Sequence, residues 1–326
     1  MKKPLLLHYY ITNRCNAACV FCSIWQEKPK VDADSKDVVD NLRQARKAGC
    51  KFVDFTGGEP LLHPKLPEFL AEAKKLGVIT SVTTNCLLFT ERAKELAGLV
   101  DLLHFSIDAD SPQLHNKIRG CDSYRHVLDS INVALENKLY PDLLYTYTQE
   151  NIDAVEGVWK LAVKSRLILI LDPVFELWGP DKLHLSVHKK ALEFSRRKGV
   201  YLNRSHLLLR GKGGNHVRAP LCRAVSSTVV ILPDNKLALP CFHHRCDTPA
   251  INGNLQNVLL STNRSAAISK EGRYSFCEGC HINCYFDPTY QFTGGKLMLE
   301  SMKSKLKYAF TKYLAYRRPL PPYFLP

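Results

Sequence analysis

The stretch Cys15-Asn16-Ala17-Ala18-Cys19-Val20-Phe21-Cys22 decides how the rest of the chain is interpreted. Its three cysteines have the spacing C-x3-C-x2-C and follow directly after the apolar segment Leu5–Ile11. Three thiolates on one short loop suit a soft metal centre. A metal with three protein ligands keeps one coordination position open, as catalytic sites do and structural sites do not. Spacing alone leaves two alternatives open, which are a structural zinc site with a fourth ligand from elsewhere and three unrelated buried cysteines.

Composition limits the class of protein further. A chain of 326 residues is long enough for one large α/β domain and a smaller one. It contains no apolar run of membrane-spanning length, and the apolar part of its N-terminus is too short for a signal peptide, so a cytoplasmic location is expected. In a reducing compartment, twelve cysteines indicate metal ligands rather than disulfides.

The formal net charge of +14 predicts an acidic partner. A carboxylate or phosphate substrate, an acidic protein and an anionic membrane surface all fit this charge. Nucleic acid is not expected, because no compact basic and aromatic motif is present.

Short apolar segments alternate with amphipathic helical segments from residue 4 to about residue 175. Six such units in series predict a parallel sheet with right-handed crossovers, which forms an open, incomplete barrel. Ligands of parallel α/β folds bind at the carboxyl ends of the strands, so the cysteine loop lies at the binding edge. The predicted strands are Leu5–Ile11, Phe52–Phe55, Val78–Thr83, Leu102–Ile107, Leu143–Thr148 and Leu167–Leu171.

Polar residues follow several of these predicted strands. They occur in Thr56-Gly57-Gly58-Glu59-Pro60, Thr83-Thr84-Asn85, Ser106-Ile107-Asp108-Ala109 and Thr148-Gln149-Glu150-Asn151. Paired glycines let a backbone approach a ligand closely. Each segment alone is typical of a turn or a helix cap, but together they could line one polar ligand.

These motifs, in this order, resemble those of the radical S-adenosylmethionine (radical SAM) enzymes. Cys15-x3-Cys19-x-Phe21-Cys22 resembles the cluster motif, and Gly57-Gly58-Glu59-Pro60 resembles the motif that holds the amino group of SAM. Ser106–Ala109 and Asn116–Gly120 resemble the family's fourth strand and the loop after it. The resemblance covers most of residues 5–175.

The resemblance implies a partial (β/α)6 TIM-like barrel and a defined set of site residues. Cys15, Cys19 and Cys22 would hold three irons of a [4Fe–4S] cluster, and the fourth iron would bind SAM. Reduction by a donor such as flavodoxin or ferredoxin would then cleave SAM to methionine and a 5′-deoxyadenosyl radical. The residues implied to surround SAM are Phe21, Gly57, Gly58, Glu59, Pro60, Asn85, Ser106, Asp108, Arg119 and Asn151.

A second group of cysteines lies near the C-terminus. Val229–Leu232 and Lys236–Leu239 read as a β-hairpin with a cysteine on either side, and a C-x2-C-x3-C run follows later. This arrangement resembles the SPASM or twitch extension of some radical SAM enzymes. The resemblance implies one auxiliary [4Fe–4S] cluster, with a structural zinc site as the alternative. The implied ligands are Cys222, Cys241, Cys277 and Cys280, with Cys246 and Cys284 as spare thiols, substitute ligands or part of a second centre.

Two departures from the family pattern accompany this group. Asn235 stands in the hairpin turn where the family usually has glycine, and asparagine tolerates the positive φ that such a turn requires. The complete SPASM set contains more cysteines, and none follows Cys284. One auxiliary cluster is therefore predicted rather than two.

The chain divides into three predicted regions. Residues 1–215 form the barrel, residues 216–295 the cysteine-rich twitch/SPASM-like domain and residues 296–326 a basic amphipathic tail. The glycine-rich stretch 210–215 is predicted to be a flexible linker. The tail is predicted to be a helix that packs on the barrel, with contact to an anionic membrane or an amphiphilic substrate as the alternative. Its apolar stripe consists of Leu299, Met302, Leu306, Phe310 and Tyr313.

Three functions from different classes are consistent with these motifs. The first is a radical SAM oxidoreductase that removes hydrogen from an unactivated carbon of a peptide, aminosugar or tetrapyrrole. The second is a radical SAM enzyme that forms C–C bonds, for example by adenosylating an isoprenoid lipid. The third is a non-enzymatic zinc-binding adaptor. The sequence does not assign a catalytic acid or base, and the histidines that are candidates by position alone are His63, His104, His115, His243, His244 and His281.

Iron counting distinguishes a radical SAM enzyme from a zinc adaptor and gives the number of clusters. We expect about eight irons per chain in the anaerobically prepared protein and about four in the triple variant Cys15→Ala/Cys19→Ala/Cys22→Ala. A count near four in the wild type would remove the auxiliary cluster, and a count near twelve would add a second one. A colourless protein with zinc and no iron would instead support the adaptor.

Overall fold

The computed structural model describes residues 3–176 and 181–321, and its main feature is one sheet of eight strands. The strands of the protein are β1 (Leu6–Thr12), β2 (Phe52–Gly57), β3 (Ile79–Thr84), β4 (Leu102–Ser106), β5 (Asp142–Tyr147), β6 (Leu169–Pro173), β7 (Val200–Tyr201), β8 (Thr228–Ile231), β9 (Leu239–Pro240) and β10 (Arg245–Asp247). The sheet has the order β7-β6-β5-β4-β3-β2-β1-β8, and each neighbouring pair is parallel. The predicted class is confirmed, since the sheet is that of an open barrel. All six predicted strands are present, within two residues at either end.

Helices connect the strands and cover the outside of the sheet. Most of them end at a glycine or have basic residues in the last turn, and both are helix-stop signals in the sequence. Helix α1, for example, ends at Gly49, which has a φ of +121°. The helices are α1 (Ser35–Ala48), α2 (Leu66–Lys75), α3 (Phe89–Leu96), α4 (Pro112–Arg119), α5 (Tyr124–Glu136), α6 (Val155–Ser165), α7 (Leu185–Phe194), α8 (Arg204–Arg210), α9 (Ala224–Ser227), α10 (Leu255–Leu259), α11 (Thr262–Ser269), α12 (Asn283–Thr289) and α13 (Gly295–Ala309).

Helix α4 corrects one prediction from the sequence. The segment Asn116–Gly120 resembles a loop, but residues 116–119 form the last turn of this helix. Pro112 occupies the first turn, where its missing N–H costs no hydrogen bond. Gly120 ends the helix with a φ of +63°, a conformation that favours glycine.

The two faces of the barrel strands have different partners. In β1, Leu7 and Tyr9 belong to the outer core, which the helices supply. The alternate residues His8 and Tyr10 face the opposite side, as strand geometry requires. There Tyr10 stacks on Phe242, with 3.8 Å between the ring centroids. The inner side of the barrel is therefore covered by the C-terminal part of the chain.

Strand β8 lies in the barrel sheet, although its residues were predicted in the cysteine-rich domain. It pairs parallel with β1, with Leu6 opposite Thr228. The predicted hairpin exists as well, because Ala238 N–H donates to Val230 O at 2.9 Å. Asn235 holds the turn with the expected positive φ of +55°. One segment thus both completes the sheet and leads into the cysteine-rich region.

Helix α13 packs on the barrel, but through its polar face. Ser301 and Ser304 are buried and bond to the segment around Asn203. In the turn after the helix, Lys312 is buried and bonds to Asp142 at the start of β5. Four residues of the stripe predicted to pack point outward instead, and the fifth, Tyr313, is half-buried. The four exposed residues are Leu299, Met302, Leu306 and Phe310. Among the described residues, none of the helices combines the length and the hydrophobicity needed to cross a bilayer.

The ion pair between Lys312 and Asp142 predicts a large effect on stability. Both side chains are buried, and Lys312→Met leaves the Asp142 carboxylate without its cation. We expect the free energy of unfolding to fall by about 3–5 kcal/mol in urea titrations. The matched control is Lys303→Met on the exposed side of α13. Equal losses in the two variants would contradict the importance of the buried pair.

Candidate active site

The cysteine loop begins at the carboxyl end of β1 and is fixed at both ends. At its base, Asn13 accepts a hydrogen bond from Val31 N–H at 2.7 Å and donates one to Pro29 O at 2.8 Å. Further along, Ala18 N–H donates to Arg119 O at 3.1 Å. The loop is thereby held against the end of α4. Cys15 and Cys19 are half-buried and Cys22 is exposed, and all three are free thiols.

The turn after β2 presses on the base of the cysteine loop. Gly58 N–H donates to Thr12 O at 2.9 Å, and the next N–H donates to Arg14 O at 2.8 Å. A Cβ on Gly57 would lie 2.0 Å from Thr12 O, and one on Gly58 would lie 2.0 Å from Arg14 O. Any other residue at either position would push the cysteine loop away. The two glycines therefore have a structural requirement independent of any ligand.

Glu59 connects this turn to β3. Its buried carboxylate accepts hydrogen bonds from Leu61 N–H, from the Thr84 hydroxyl and from Asn85 N–H at 2.8 to 3.1 Å. Burial raises the pKa of Glu59 to about 7, although the three donors favour the carboxylate. Asn85 in turn donates to the side chain of Asn16 in the cysteine loop at 2.7 Å. Glu59 and Asn85 thus transmit the position of β3 to the loop.

Arg119 provides the positive charge of the site. Its guanidinium forms a buried ion pair with Asp108 at 2.6 Å and donates to Cys19 Sγ at 3.6 Å. It also lies over the ring of Phe21, 5.6 Å from the centroid. Burial alone would lower the pKa of Arg119, but the facing Asp108 more than offsets this effect, so the guanidinium stays charged. Its buried Nε has no hydrogen-bond partner among the described residues.

Two other predicted site residues lie at the same edge with different roles. Asn151 is fully buried and donates to the carbonyls of Asp108 and Thr146, while its oxygen accepts from Thr148. These bonds use the whole capacity of its amide, so Asn151 supports the ends of β4 and β5 rather than facing the opening. Ser106 is buried at the end of β4, and Pro60 begins the short turn after Glu59.

The cysteine loop and the residues around it have the chemical groups that an iron–sulfur cluster and SAM require, but the three cysteines are not arranged around one metal position. Among the described residues, no three His, Cys, Asp or Glu side chains already converge on one metal position. Burial raises the pKa of Cys15 to about 11, and a bound metal would favour its thiolate. The Arg119 guanidinium donates to Cys19 Sγ at 3.6 Å. The two-glycine turn and the unpartnered Nε of Arg119 supply the close backbone and the free donor that a polar ligand requires.

Four of the C-terminal cysteines lie around one cavity. Cys222, Cys241, Cys277 and Cys280 line one small cavity, together with apolar and aromatic side chains. Burial raises the pKa of both Cys241 and Cys277 to about 12, and a bound metal would favour their thiolates. Cys246 is exposed on β10. Four cysteines around one cavity have the donor chemistry that a tetrathiolate iron–sulfur or zinc centre requires.

Cys284 has a different environment from the cavity cysteines. It lies at the start of α12 and packs against the apolar cluster that contains Cys222 and Cys241. Burial raises its pKa, and Cys241, Asp172 on β6 and Asp54 on β2 add to the effect. The charges of β2 and β6 thus act on the Cys284 thiol as well as that of Cys241.

Asn215 is a functional residue that sequence reasoning missed. The stretch 210–215 was predicted to be a flexible linker, and this prediction is wrong. Asn215 is fully buried, and its side chain donates to Gly272 O and Cys277 O and accepts from Leu221 N–H and Cys222 N–H. Its backbone N–H donates to Cys280 O at 2.9 Å. One residue therefore braces three of the four cavity cysteines, and its sign in the sequence is an asparagine seven residues before Cys222.

The glycine before Asn215 explains how the brace fits. A Cβ on Gly214 would lie 2.3 Å from Gly279 O, and its φ is +84°. The glycine-rich composition thus reflects a close approach to the Cys277–Cys280 turn rather than flexibility.

Most of the candidate histidines have structural partners. His115 accepts from Asp108 N–H and contacts Ser123, and burial lowers its pKa to about 3. His63 and His281 bond to backbone groups on both ring nitrogens. His104 lies inside the barrel, 3.7 Å from Asp142. His243 and His244 pack among aromatic rings at the cysteine cavity.

The fold and this edge of the sheet define a class of enzymes. Residues 9–162 match the family model of the radical SAM superfamily, and the match contains the cysteine loop, the two-glycine turn and Arg119. These residues are just under half of the chain, and the superfamily that they match uses a [4Fe–4S] cluster and SAM as cofactors.

One curated relative and two solved structures are similar to this chain. A GTP 3′,8-cyclase from Clostridium acetobutylicum is 31% identical over 159 residues, which are 46% of this chain and 49% of the relative. The chain thus spans about half the length of this curated relative. The crystal structure of Streptococcus suis SuiB bound to its precursor peptide SuiA has a TM-score of 0.66 and 17% identity, covering 86% of this chain and 72% of SuiB. Native anSMEcpe with bound AdoMet has a TM-score of 0.62 and 17% identity, covering 97% of this chain and all of the other. At 17% identity these structures show a common fold.

The brace at Asn215 yields a specific prediction. Asn215→Ala removes four side-chain hydrogen bonds around the cavity cysteines, so we expect iron content to fall from about eight to about four per chain while SAM cleavage persists. The matched control is Asn257→Ala, at an exposed position. Unchanged iron content in Asn215→Ala would show that the cysteines assemble without the brace.

Proposed function

We propose that this chain is a radical SAM oxidoreductase that takes a hydrogen atom from an unactivated carbon and oxidises the resulting substrate radical through an auxiliary cluster. The observation that carries the proposal is the position of Tyr10 between the two cysteine sets. Burial raises the pKa of Tyr10, and Cys284, Cys22 and Cys241 are among the groups that add to the effect. The ring of Tyr10 also stacks on Phe242, the neighbour of Cys241. One side chain on the inner side of the barrel is thus within electrostatic range of both proposed metal sites.

The roles of the chain's own residues in the first half of the reaction follow from the contacts at the sheet edge. Cys15, Cys19 and Cys22 would hold the [4Fe–4S] cluster, and the Gly57–Glu59 backbone and Arg119 would hold the amino and carboxylate groups of SAM. When bound there and reduced, the cluster supplies the electron that cleaves SAM to methionine and the 5′-deoxyadenosyl radical. Arg119 keeps the cysteine loop, Asp108 and Phe21 in a fixed relation. This fixed relation limits how far the reactive end of SAM can move.

The second half of the reaction involves the C-terminal cavity. Cys222, Cys241, Cys277 and Cys280 would hold the auxiliary cluster, which supplies an acceptor for the electron that the substrate radical loses. Asn215 holds three of these ligands in place. The stacked rings of Tyr10 and Phe242 connect the inner face of β1 with the residue next to Cys241.

Charge inside the barrel favours a substrate class. Asp54 keeps 23% of its side-chain surface exposed although it faces the barrel axis, so the interior is hollow at that level. Asp172 faces the same space, and burial raises its pKa to about 6. The neighbouring cation Lys312 is already paired with Asp142. Asp54 bonds to His8 at 3.1 Å and Asp172 accepts a hydrogen bond from Asn283 at 3.0 Å, so in the described part of the chain neither carboxyl group forms an ion pair with a lysine or arginine. A hollow with these carboxyl groups suits an amine-bearing substrate, such as a peptide or an aminosugar, better than a triphosphate or a multiply carboxylated tetrapyrrole.

The alternatives are separated by their products. Adenosylation of an isoprenoid lipid would keep the 5′-deoxyadenosyl group in the product, a GTP 3′,8-cyclase activity like that named for the curated relatives would consume GTP, and a zinc adaptor would cleave nothing.

Reaction with SAM and a strong reductant provides the test. We expect the reconstituted protein to release free 5′-deoxyadenosine, detected by chromatography, and Cys19→Ala to reduce this release to background because it removes a cluster ligand. The control is Cys50→Ala, in the outer core and remote from both cysteine sets. We expect Cys277→Ala to retain SAM cleavage and to lose oxidised product when a substrate is present.

Three results would contradict the proposal. Adenosylated lipid without free 5′-deoxyadenosine would support the C–C bond-forming alternative. Consumption of GTP at the rate of SAM cleavage would assign the activity named for the curated relatives. Absence of SAM cleavage in an iron-loaded protein would remove the enzymatic proposal altogether.

A further inference from the structure

The outer face of α13 and of the turn after it is apolar. The exposed fraction of its five large apolar side chains lies between 47% and 65%. They account for five of the nine large hydrophobic residues that are exposed in the described part of the chain. A contiguous apolar surface of this kind marks a contact site rather than ordinary surface. We name it the outer stripe, and it consists of Leu299, Met302, Leu306, Phe310 and Leu314.

The inner face of the same helix explains why the outer stripe points outward. Ser301 and Ser304 fit the polar wall at Asn203 and Arg204, and Ser205 donates to Leu297 O at 2.6 Å. Downstream, Lys312 is fixed by Asp142 and the Tyr308 hydroxyl, each at 2.8 Å. Rotating the helix to bury the outer stripe would break all these contacts and leave the Asp142 carboxylate unpaired. The helix is therefore locked in this orientation by its polar side.

Basic residues surround the outer stripe. Lys296, Lys303 and Arg317 are exposed along the helix and after it. Lys307 reaches Ser195 O and so places the neighbouring turn, with exposed Arg196 and Lys198, beside the helix. The acid of this helix, Glu300, is engaged by Lys303 at 2.9 Å and Arg204 at 3.6 Å. An apolar surface with this rim suits an anionic occupant.

We propose that the outer stripe docks the protein on an anionic membrane surface. The apolar side chains would enter the interface, and the lysines and arginines around them would meet the headgroups, as in interfacial amphipathic helices. A second copy of the chain is the weaker occupant, because pairing two such faces would bring two basic rims together. The proposal does not depend on the proposed reaction.

The position of the outer stripe leaves the candidate active site accessible. Lys312 anchors its C-terminal end at Asp142, the first residue of β5. The cysteine loop follows the last residue of β1, at the opposite end of the parallel strands. A protein docked through the outer stripe would therefore keep the mouth of the barrel open to the aqueous side.

Sedimentation with lipid vesicles tests the proposal on the full chain. We expect the wild type to sediment with vesicles of phosphatidylcholine and phosphatidylglycerol, and to remain in solution with phosphatidylcholine alone or at high salt. In Leu306→Asp/Phe310→Asp, we expect binding to anionic vesicles to weaken by at least about tenfold. The matched control is Leu185→Asp/Leu260→Asp, which changes two equally exposed leucines outside the outer stripe. Thermal unfolding and iron content, unchanged in both variants, show that the fold is intact.

Three outcomes would overturn the proposal. In the first, the wild type would stay in solution with anionic vesicles. In a second case, the control variant would lose binding to the same extent as the outer-stripe variant. In a third, the wild type would not bind vesicles but would form a concentration-dependent dimer, and Leu306→Asp/Phe310→Asp would be monomeric. This result would assign the surface to a second copy of the chain.

Discussion

The site depends on one close contact between two pieces of backbone. The turn after β2 lies so near the base of the cysteine loop that a Cβ on Gly57 or Gly58 would overlap the carbonyl oxygens of Thr12 and Arg14. Hydrogen bonds from Gly58 and Glu59 to the same two carbonyls keep the contact in place. Because the loop and the turn come from adjacent parallel strands, the sheet itself sets their separation. The other site residues, from Glu59 to Arg119, extend this fixed relation to β3 and β4.

The sequence predicted the barrel well because its signals are local. Each of the six strands is a short apolar run, and helices such as α1 end at a glycine. The sequence-predicted residues Glu59, Asn85 and Arg119 meet at one edge since parallel strands share their carboxyl end. Asn151 was placed at the correct edge, but its saturated hydrogen bonds give it a supporting role that spacing cannot reveal.

The features that the sequence did not reveal depend on long-range contacts. Asn215 bonds to residues up to 65 positions away, so its neighbours in the chain show only a glycine-rich stretch. Helix α13 has a clear apolar stripe, and periodicity predicts that such a stripe is buried. The stripe is exposed because contacts on the opposite side fix the helix. One of them joins Lys312 to the carboxylate of Asp142, 170 residues earlier. Strand β8 read as part of a separate hairpin because its neighbour in the sheet is the first strand of the chain.

Strand β8 has a consequence for how the chain can be divided. It covers one edge of β1, so the strand that leads into the cysteine loop has a hydrogen-bonded neighbour on both sides. A shortened protein that ends before residue 228 would present β1 as an open edge, with unpaired N–H and C=O groups that recruit other chains. The turn at Asn235 also bonds to Asn41 of α1, which ties the same segment to the first helix. The two cysteine regions are thus joined through one sheet, so a C-terminal region exchanged between relatives would need an edge strand that matches β1.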